Sequence, residues 1–147
     1  MPDLIASIQS ALAERFGERL EFEQNLTGLD ELARLAARRV HRRFTEKDVA
    51  ADLLRLLCAC ALSAPSKSDL QQCDILIVRE KNRRQAIADL IPDMPWIMQA
   101  PVFLVFLANG RRLPQMSQWR GKPFPNDHLD QFFNAAVDAG ILLGTFL

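Results

Sequence analysis

The strongest constraint on the fold is the C-terminal segment from Asp127 to Leu147, which has a helical pattern and is apolar over most of its surface. Its last stretch, ILLGTFL, contains no charged side chain, so this helix needs burial on nearly all sides. Only the segments 73–79 (CDILIVR) and 101–108 (PVFLVFLA) have the composition of strands, and two strands rarely form a stable sheet alone. The sequence therefore predicts that another chain, or further residues of a longer chain, completes the structure.

The same C-terminal segment carries the pattern of a contact between two helices. Gly140 and Gly144 lie four residues apart, and glycine lets another backbone approach closely. The pair Phe132-Phe133 is expected to pack in a core or in a dimer interface. Four polar residues exclude a membrane span, namely Asp130, Gln131, Asn134 and Asp138. We therefore expect a homodimer in which this helix forms the contact.

The remaining pattern predicts a helix-rich chain. Apolar side chains at helical spacing predict a first helix over 3–16 and later helices over 81–91 and 96–99. A second helix is predicted to begin at a Thr27 cap and to run into the arginines that follow. A third is predicted to begin at a Thr45 cap and to end at residue 62. Residues 21–25 are expected to form a connector. The uncharged run 101–108 predicts a central strand covered on both faces. Glycine and proline residues in 109–127 predict a long loop or lid.

Composition narrows the class of protein. A chain of 147 residues is long enough for one domain with a substantial core, and we expect a single domain over 1–147. The 18 basic and 18 acidic side chains cancel, which argues against a dedicated nucleic-acid or membrane-surface binder. The three cysteines show neither a Cys-x-x-Cys pair nor a Cys/His ligand set, so no metal site is expected. Reduced thiols and an N-terminus without secretory features predict a cytoplasmic protein.

A cluster of arginines follows the second predicted helix. Guanidinium groups bind phosphate through paired, charge-assisted hydrogen bonds. If residues 38–42 leave the helix, Arg38 and Arg42 could converge on one anion. Taken alone, the spacing favours the plainer interpretation of a solvated basic helix end.

A short polar loop, Pro65 to Gln71, links the third predicted helix to the first strand. Its hydroxyl, ammonium and carboxylate groups could line a ligand. Taken alone, its composition is also that of an ordinary turn, since Pro, Ser and Asp are standard turn residues.

The histidines support no catalytic arrangement: His41 is expected in a turn and His128 near a helix start. Met94 and Trp96 are candidates for the rim of a pocket.

Three motifs, in order, resemble those of the nitroreductase family. RRVHRRFT (38–45) is similar to the opening R-R-S-x-R-x-F of the family. APSKSDLQQ (64–72), with a strand directly after it, is similar to A-P-S-S-x-N-x-Q-P-W. QAP (99–101), before the second strand, is similar to the strand entry of the family. The resemblance covers residues 30–147. The chain differs at Val40, where Ser is usual, at Asp69, where Asn is common, and at Gln72-Cys73 in place of Pro-Trp.

The resemblance implies an α+β fold, with a mixed sheet flanked by helices and a long central dimer helix. It also implies that the C-terminal part of the family domain is absent from the sequence. FMN would lie at the dimer interface, held by both chains, and NAD(P)H would be the co-substrate. The implied FMN-binding residues are Arg38, Arg39, Arg42, Pro65, Ser66, Lys67, Asp69 and Gln71.

The implied activity is hydride transfer from NAD(P)H through the flavin to an electron-poor acceptor such as a nitroaromatic or a quinone. No side chain is expected to act as a catalytic nucleophile or base, because the flavin carries the chemistry. Two alternatives stay open at this point. One is a non-catalytic flavoprotein fragment or dimerisation module with an incomplete FMN site. The other is a related flavin enzyme with a different outcome, such as flavin breakdown or reductive dehalogenation.

Overall fold

The computed structural model of the protein describes residues 3–23, 25–125 and 128–147. The chain divides into two compact units, residues 1–41 and residues 42–147. The prediction of a single domain is not decided by this division and stays a prediction. The predicted connector at 21–25 includes Gln24, which lies outside the described residues.

The described part of the first unit is a pair of packed helices, α1 (Leu4–Phe16) and α2 (Leu29–Ala37). Helix α1 begins at Leu4 because the Asp3 carboxylate accepts hydrogen bonds from the N–H groups of Ile5 at 3.0 Å and Ala6 at 3.2 Å. It ends at Gly17, whose φ of 79° suits the left-handed end of a helix. The predicted first helix is therefore confirmed.

Both predicted threonine caps are wrong. Helix α2 begins after Gly28, which adopts a φ of 75° and provides no side-chain cap, so the chain turns at the residue that tolerates this conformation best. Helix α3 (Ala51–Leu62) begins after Ala50, also without a side-chain cap, and residues 45–50 have no regular structure. Thr45 and Val49 are β-branched and lose side-chain freedom in a helix, and no cap offsets that cost.

The second unit contains α3, two strands and four further helices in its described part. These elements are β1 (Cys73–Val78), α4 (Lys81–Leu90), α5 (Trp96–Gln99), β2 (Phe103–Ala108), α6 (Arg112–Arg120) and α7 (Leu129–Phe146). The two strands pair antiparallel, with Cys73 opposite Ala108 and Val78 opposite Phe103. Both predicted strands and the predicted helices at 81–91 and 96–99 are confirmed within two residues.

Helix α7 packs across both strands and against α3. The innermost side chains are Ala61 of α3, Cys73 of β1 and Leu142 of α7, which are 0%, 7% and 1% exposed. Four partly buried residues surround them, namely Ile75, Phe106, Ala139 and Phe146. The rings of Phe106 and Phe146 meet edge to face, with centroids 5.3 Å apart. This core fixes one face of α7 against the strands.

The prediction that the second strand is covered on both faces is wrong for the described chain. Ile75 and Phe106 are opposite each other in the ladder and contact the core, so α7 covers the face that carries them. The neighbouring residues Leu76 and Leu107 point to the other face of the sheet, where they are 51% and 40% exposed. The uncharged run therefore reflects a strand that is half-buried here.

The predicted long loop over 109–127 is also wrong in part, because it contains helix α6. Pro114 is the third residue of that helix and lies in the first turn, where a missing N–H costs no helical hydrogen bond. Gly121 ends the helix with a φ of 58°. Asn126 and Asp127 lie outside the described residues, and so does the predicted start of the last helix at Asp127.

Candidate functional site

The arginines from Arg38 to Arg43 lie outside the helix, which is the condition for Arg38 and Arg42 to converge on one anion. Helix α2 ends at Ala37, and Arg38 has extended backbone geometry with φ −56° and ψ 129°. The Arg15 guanidinium donates a hydrogen bond to the Arg38 carbonyl at 2.6 Å, which holds this exit against α1. Arg38 is exposed.

Arg39 has a structural task within the first unit. Its guanidinium donates to the carbonyls of Ala36 at 3.0 Å and Arg38 at 2.9 Å, and it lies 3.5 Å from the Glu14 carboxylate. These contacts close the end of α2 onto α1. The role of Arg39 as an anion contact therefore stays a prediction.

Arg42 belongs to the second unit, where it is exposed and lies in irregular backbone. Arg38 and Arg39 belong to the first unit. The convergence of Arg38 and Arg42 on one anion thus stays a prediction, for which Arg38 has the extended backbone that it requires.

The loop from Pro65 to Gln71 has an unusual backbone. Ser68, Asp69 and Gln71 adopt φ values of 52°, 54° and 48°, in the left-handed region. For a residue other than glycine this conformation costs about 1–2 kcal/mol, so three such residues cost about 3–6 kcal/mol. Strained backbone of this kind persists only where the surroundings hold it, and it clusters at functional sites. The loop is therefore more than the ordinary turn that its composition also allowed.

Hydrogen bonds inside the loop account for part of this conformation. The Ser66 hydroxyl accepts from the N–H of Gln71 at 3.0 Å, and its carbonyl accepts from the N–H of Asp69 at 3.3 Å. The Gln71 amide donates to the Asp69 carboxylate at 3.2 Å. Three of the predicted site residues are thus brought together, while Pro65 precedes them as an exposed residue.

A buried carboxylate on α7 accepts hydrogen bonds from the loop backbone. Asp138 is 2% exposed, and its two oxygens accept hydrogen bonds from the N–H groups of Lys67 at 3.1 Å and Gln72 at 3.2 Å. Burial of a carboxylate is costly unless hydrogen bonds compensate it, and here both oxygens are used. The sequence pattern alone does not predict this role of Asp138.

Arginine and asparagine side chains hold the end of the loop where it enters β1. The Arg112 guanidinium donates to the carbonyls of Gln71 and Cys73 and to the Asp74 carboxylate. The side-chain amide of Asn109 donates to the same carboxylate at 2.6 Å, and the backbone N–H of Asn109 donates to the Gln72 carbonyl at 2.8 Å. The start of α6 and the end of β2 therefore fix this end of the loop.

The surface of the loop is polar and accessible. Lys67, Ser68 and Asp69 are exposed, and the Ser68 N–H has no acceptor within the described part of the chain. The loop thus presents an ammonium group, a hydroxyl, a carboxylate and one backbone donor to a ligand. Lys67 and Ser68 also line a cleft of about 230 Å³ that extends to Phe124 and the start of α7.

Two neighbouring groups are unusual in their burial. Burial, followed by the negative charge of Asp138, raises the pKa of the Cys73 thiol. Gln72 is fully buried, and neither polar atom of its side chain has a hydrogen-bond partner among the described residues. An unpaired buried amide is destabilising.

The other predicted candidates lie outside this loop. His128 caps α7, where its Nδ1 accepts from the Asp130 N–H at 3.3 Å, which confirms its predicted place near a helix start. His41 lies in irregular backbone. Met94 is 40% exposed and lines a shallow cavity beside α4 and α5. The assignment of Met94 and Trp96 to a pocket rim stays a prediction.

The positioning residues Asp138, Arg112 and Asn109 were not found from the sequence. The one available signal was an acidic residue inside an otherwise apolar helix, which is rarely buried unless it has partners. We used Asp138 only to exclude a membrane span, and the signal does not identify the loop that Asp138 contacts. Among the described helices, none is both long and apolar enough to cross a membrane.

Comparison with known proteins places these features in a family. Residues 35–147 match the model of the nitroreductase family. An FMN reductase [NAD(P)H] from Bacillus subtilis is 36% identical over 108 residues, which are 71% of this chain and 43% of the relative.

Solved structures give the same result. The hypothetical oxidoreductase YcnD from Bacillus subtilis is 35% identical, with a TM-score of 0.69 over 74% of this chain and 45% of its own. An NADPH:FMN oxidoreductase from Vibrio harveyi, complexed with NAD+, is 25% identical, with a TM-score of 0.68 over 76% of this chain and 46% of its own. The chain thus spans less than half the length of these relatives. Because the family match covers most of the sequence and includes the strained loop, the chain belongs to the nitroreductase family.

Proposed function

We propose that the protein is an FMN-dependent oxidoreductase that transfers hydride from NAD(P)H through the flavin to an electron-poor acceptor, such as a nitroaromatic or a quinone. The observation that carries the proposal is the strained polar loop Ser66–Gln71, held by α6 and α7 in the segment that resembles the flavin-binding motif of the family. The relatives named as FMN reductase and NADPH:FMN oxidoreductase support the choice of cofactor.

The side chains present suit the chemistry of FMN. The phosphate is an anion, and both Arg38, on extended backbone, and Arg42, in irregular backbone, are exposed guanidinium groups. The flavin ring has both acceptor and donor atoms along one edge. The loop offers a matching set, because Lys67 is a cation, Asp69 is an acceptor and the Ser68 N–H is an available donor. The residues therefore fit the cofactor.

Each group would have a distinct task in the bound state. Arg38 and Arg42 would hold the phosphate, and Gln71 and Ser66 would hold the loop that faces the ribityl chain or the ring. Lys67 would place positive charge near the flavin, which favours a reduced, negatively charged ring. The flavin supplies the hydride chemistry when bound, and the protein supplies binding, orientation and electrostatics. For this reason no side chain is assigned as a catalytic acid, base or nucleophile.

The proposed site needs two copies of the chain, with FMN held at their interface. The outward face of α7 is apolar and open in a single chain: Phe132, Phe133 and Val137 are 64%, 56% and 58% exposed. A Cβ atom added at Gly140 would meet nothing within 4 Å, which leaves room for another helix to approach. A second α7 would cover this face, as the sequence predicts for the homodimer. The cytoplasmic location also stays a prediction.

The test is the visible absorbance of the purified protein, followed by titration with FMN. We expect flavin bands with about one FMN per subunit, and loss of flavin retention in the double variant Arg38→Ala/Arg42→Ala. The matched control is Arg111→Ala/Arg120→Ala, which removes the same charge from exposed positions at the two ends of α6. Retention of the yellow colour in the first double variant would refute the assignment of these arginines. A wild-type protein that stays colourless with added FMN would refute the proposed function and favour the non-catalytic fragment or dimerisation module.

A further inference from the structure

Asp138 occupies a position where a charge is unexpected. It lies on the buried face of α7, and its neighbours one turn away on that face, Ala135 and Leu142, are 2% and 1% exposed. Asp138 takes part in none of the salt bridges among the described residues. Its partners are two backbone N–H groups, from Lys67 and Gln72. An apolar residue would bury at lower cost, so the carboxylate must have another use.

The two bonded N–H groups flank the strained segment of the loop. Lys67 directly precedes Ser68, the first left-handed residue, and Gln72 directly follows Gln71, the last one. One carboxylate therefore spans the segment, with one oxygen for each end. Because left-handed residues revert to extended or helical backbone when nothing holds them, this bridge opposes that reversal.

The two ends of the segment are not held equally. At the Gln72 end, Arg112 binds the Gln71 carbonyl and the Asn109 N–H binds the Gln72 carbonyl, in addition to Asp138. At the Lys67 end, the bond to Asp138 is the one hydrogen bond that joins the loop backbone to another element within the described chain. Loss of Asp138 should therefore release the exposed half of the loop, which contains Lys67 and Ser68, while the half next to β1 keeps its other contacts.

We propose that Asp138 is a positioning residue that holds the loop Ser66–Gln71 in its left-handed conformation, so that Lys67, the Ser68 N–H and Asp69 face the cofactor. The inference rests on the proposed flavin function for its consequence in binding. The holding of the loop is a property of the chain itself. A loop that is already ordered binds its ligand more tightly, because binding then does not have to offset the entropy cost of ordering the loop.

The experiment compares wild type with Asp138→Asn, which keeps the shape but turns one oxygen into a donor that faces a backbone N–H. Asp89→Asn is the matched control, because Asp89 is an exposed carboxylate on α4 that accepts from Gln85, and an asparagine oxygen can still accept that bond. Hydrogen exchange of a peptide spanning residues 65–72 and tryptic cleavage after Lys67 report on the loop without flavin. We expect both to increase in Asp138→Asn, with unchanged exchange in β1 and β2. The control should match wild type.

The second readout is flavin binding. We expect the Kd for FMN to rise about tenfold in Asp138→Asn, with a visible band of bound flavin closer to that of free flavin. A global loss of structure would raise exchange in the strands as well. In that case Ser68→Gly, which relieves left-handed strain, is added to the same chain and should restore loop protection and part of the affinity.

The outcomes separate the two proposals. Unchanged loop exchange and unchanged cleavage in Asp138→Asn would overturn the positioning role, whatever the flavin affinity. Increased loop exchange with an unchanged Kd would also overturn it, because a released loop would then not matter for the cofactor. Absence of FMN binding by wild type would refute the proposed function, and the exchange data alone would then decide whether Asp138 holds the loop.

Discussion

Truncation of Leu142 to alanine tests whether α7 packs on the strands as described. Leu142 is 1% exposed and belongs to the same core cluster as Ala61 and Cys73. Removal of a buried leucine side chain typically costs about 2–5 kcal/mol, since it combines lost burial with a cavity. A loss of about 3 kcal/mol would lower Tm by about 6–12 °C for a chain of this size. We therefore expect a large loss that does not depend on protein concentration.

The matched control is Leu143→Ala, one residue further along the same helix. Leu143 is 38% exposed and lies on the outward face with Phe132 and Val137. In a single chain its truncation leaves a site open to solvent, so we expect a loss of about 1 kcal/mol. If a second α7 covers this face, the loss should grow with protein concentration, because it then also weakens association.

The assay is urea unfolding followed by circular dichroism, at a low and a high protein concentration. Similar losses for Leu142→Ala and Leu143→Ala at the low concentration would refute the described orientation of α7. The two side chains point about 100° apart around a helix, so a face centred on Leu142 leaves Leu143 at or beyond its edge.

Three further predictions concern Gln72 and Cys73, which lie next to the strained loop. The substitution Gln72→Met keeps the shape of the side chain but removes an unpaired buried amide. We therefore expect the free energy of unfolding, measured by urea unfolding, to rise by about 1–2 kcal/mol. A fall would show that the amide has a hydrogen-bond partner in solution. A disulfide reagent should modify the exposed Cys60 well before Cys73, and equal rates would contradict the burial of Cys73. The pKa of the Cys73 thiol is raised in the folded protein, so the unfolded chain loses this proton at lower pH. The free energy of unfolding should therefore fall as the pH rises above about 8.5. The fall should be smaller in Cys73→Ala.

Local sequence patterns predicted most of the elements correctly. Both strands were found because β-branched and aliphatic residues run together between polar segments. Helix α7 was found because its apolar residues continue over five turns. The motif at 64–72 identified the loop, and the family comparison confirms the resemblance on which that identification rested.

The errors occur where local pattern and the folded chain disagree. Pro114 and Gly121 suggested a loop, yet they stand at the first turn and the end of α6, positions where a helix tolerates them. Thr45 suggested a cap, yet α3 begins six residues later without one. Such boundaries depend on competing local energies that are small beside tertiary packing.

The sequence by itself determined the α+β class, the strongly apolar C-terminal helix and the family of the protein, because these depend on residue types in order along the chain. The tertiary structure alone decided which polar groups meet. Asp138 reaches a loop that lies some seventy residues away in the chain, and Arg112 reaches the other end of that loop from about forty residues away. Arg39, whose role as an anion contact stays a prediction, joins α2 to α1 through Glu14. A hydrogen bond forms where packing brings donor and acceptor within about 3 Å, and no spacing in the sequence encodes that distance.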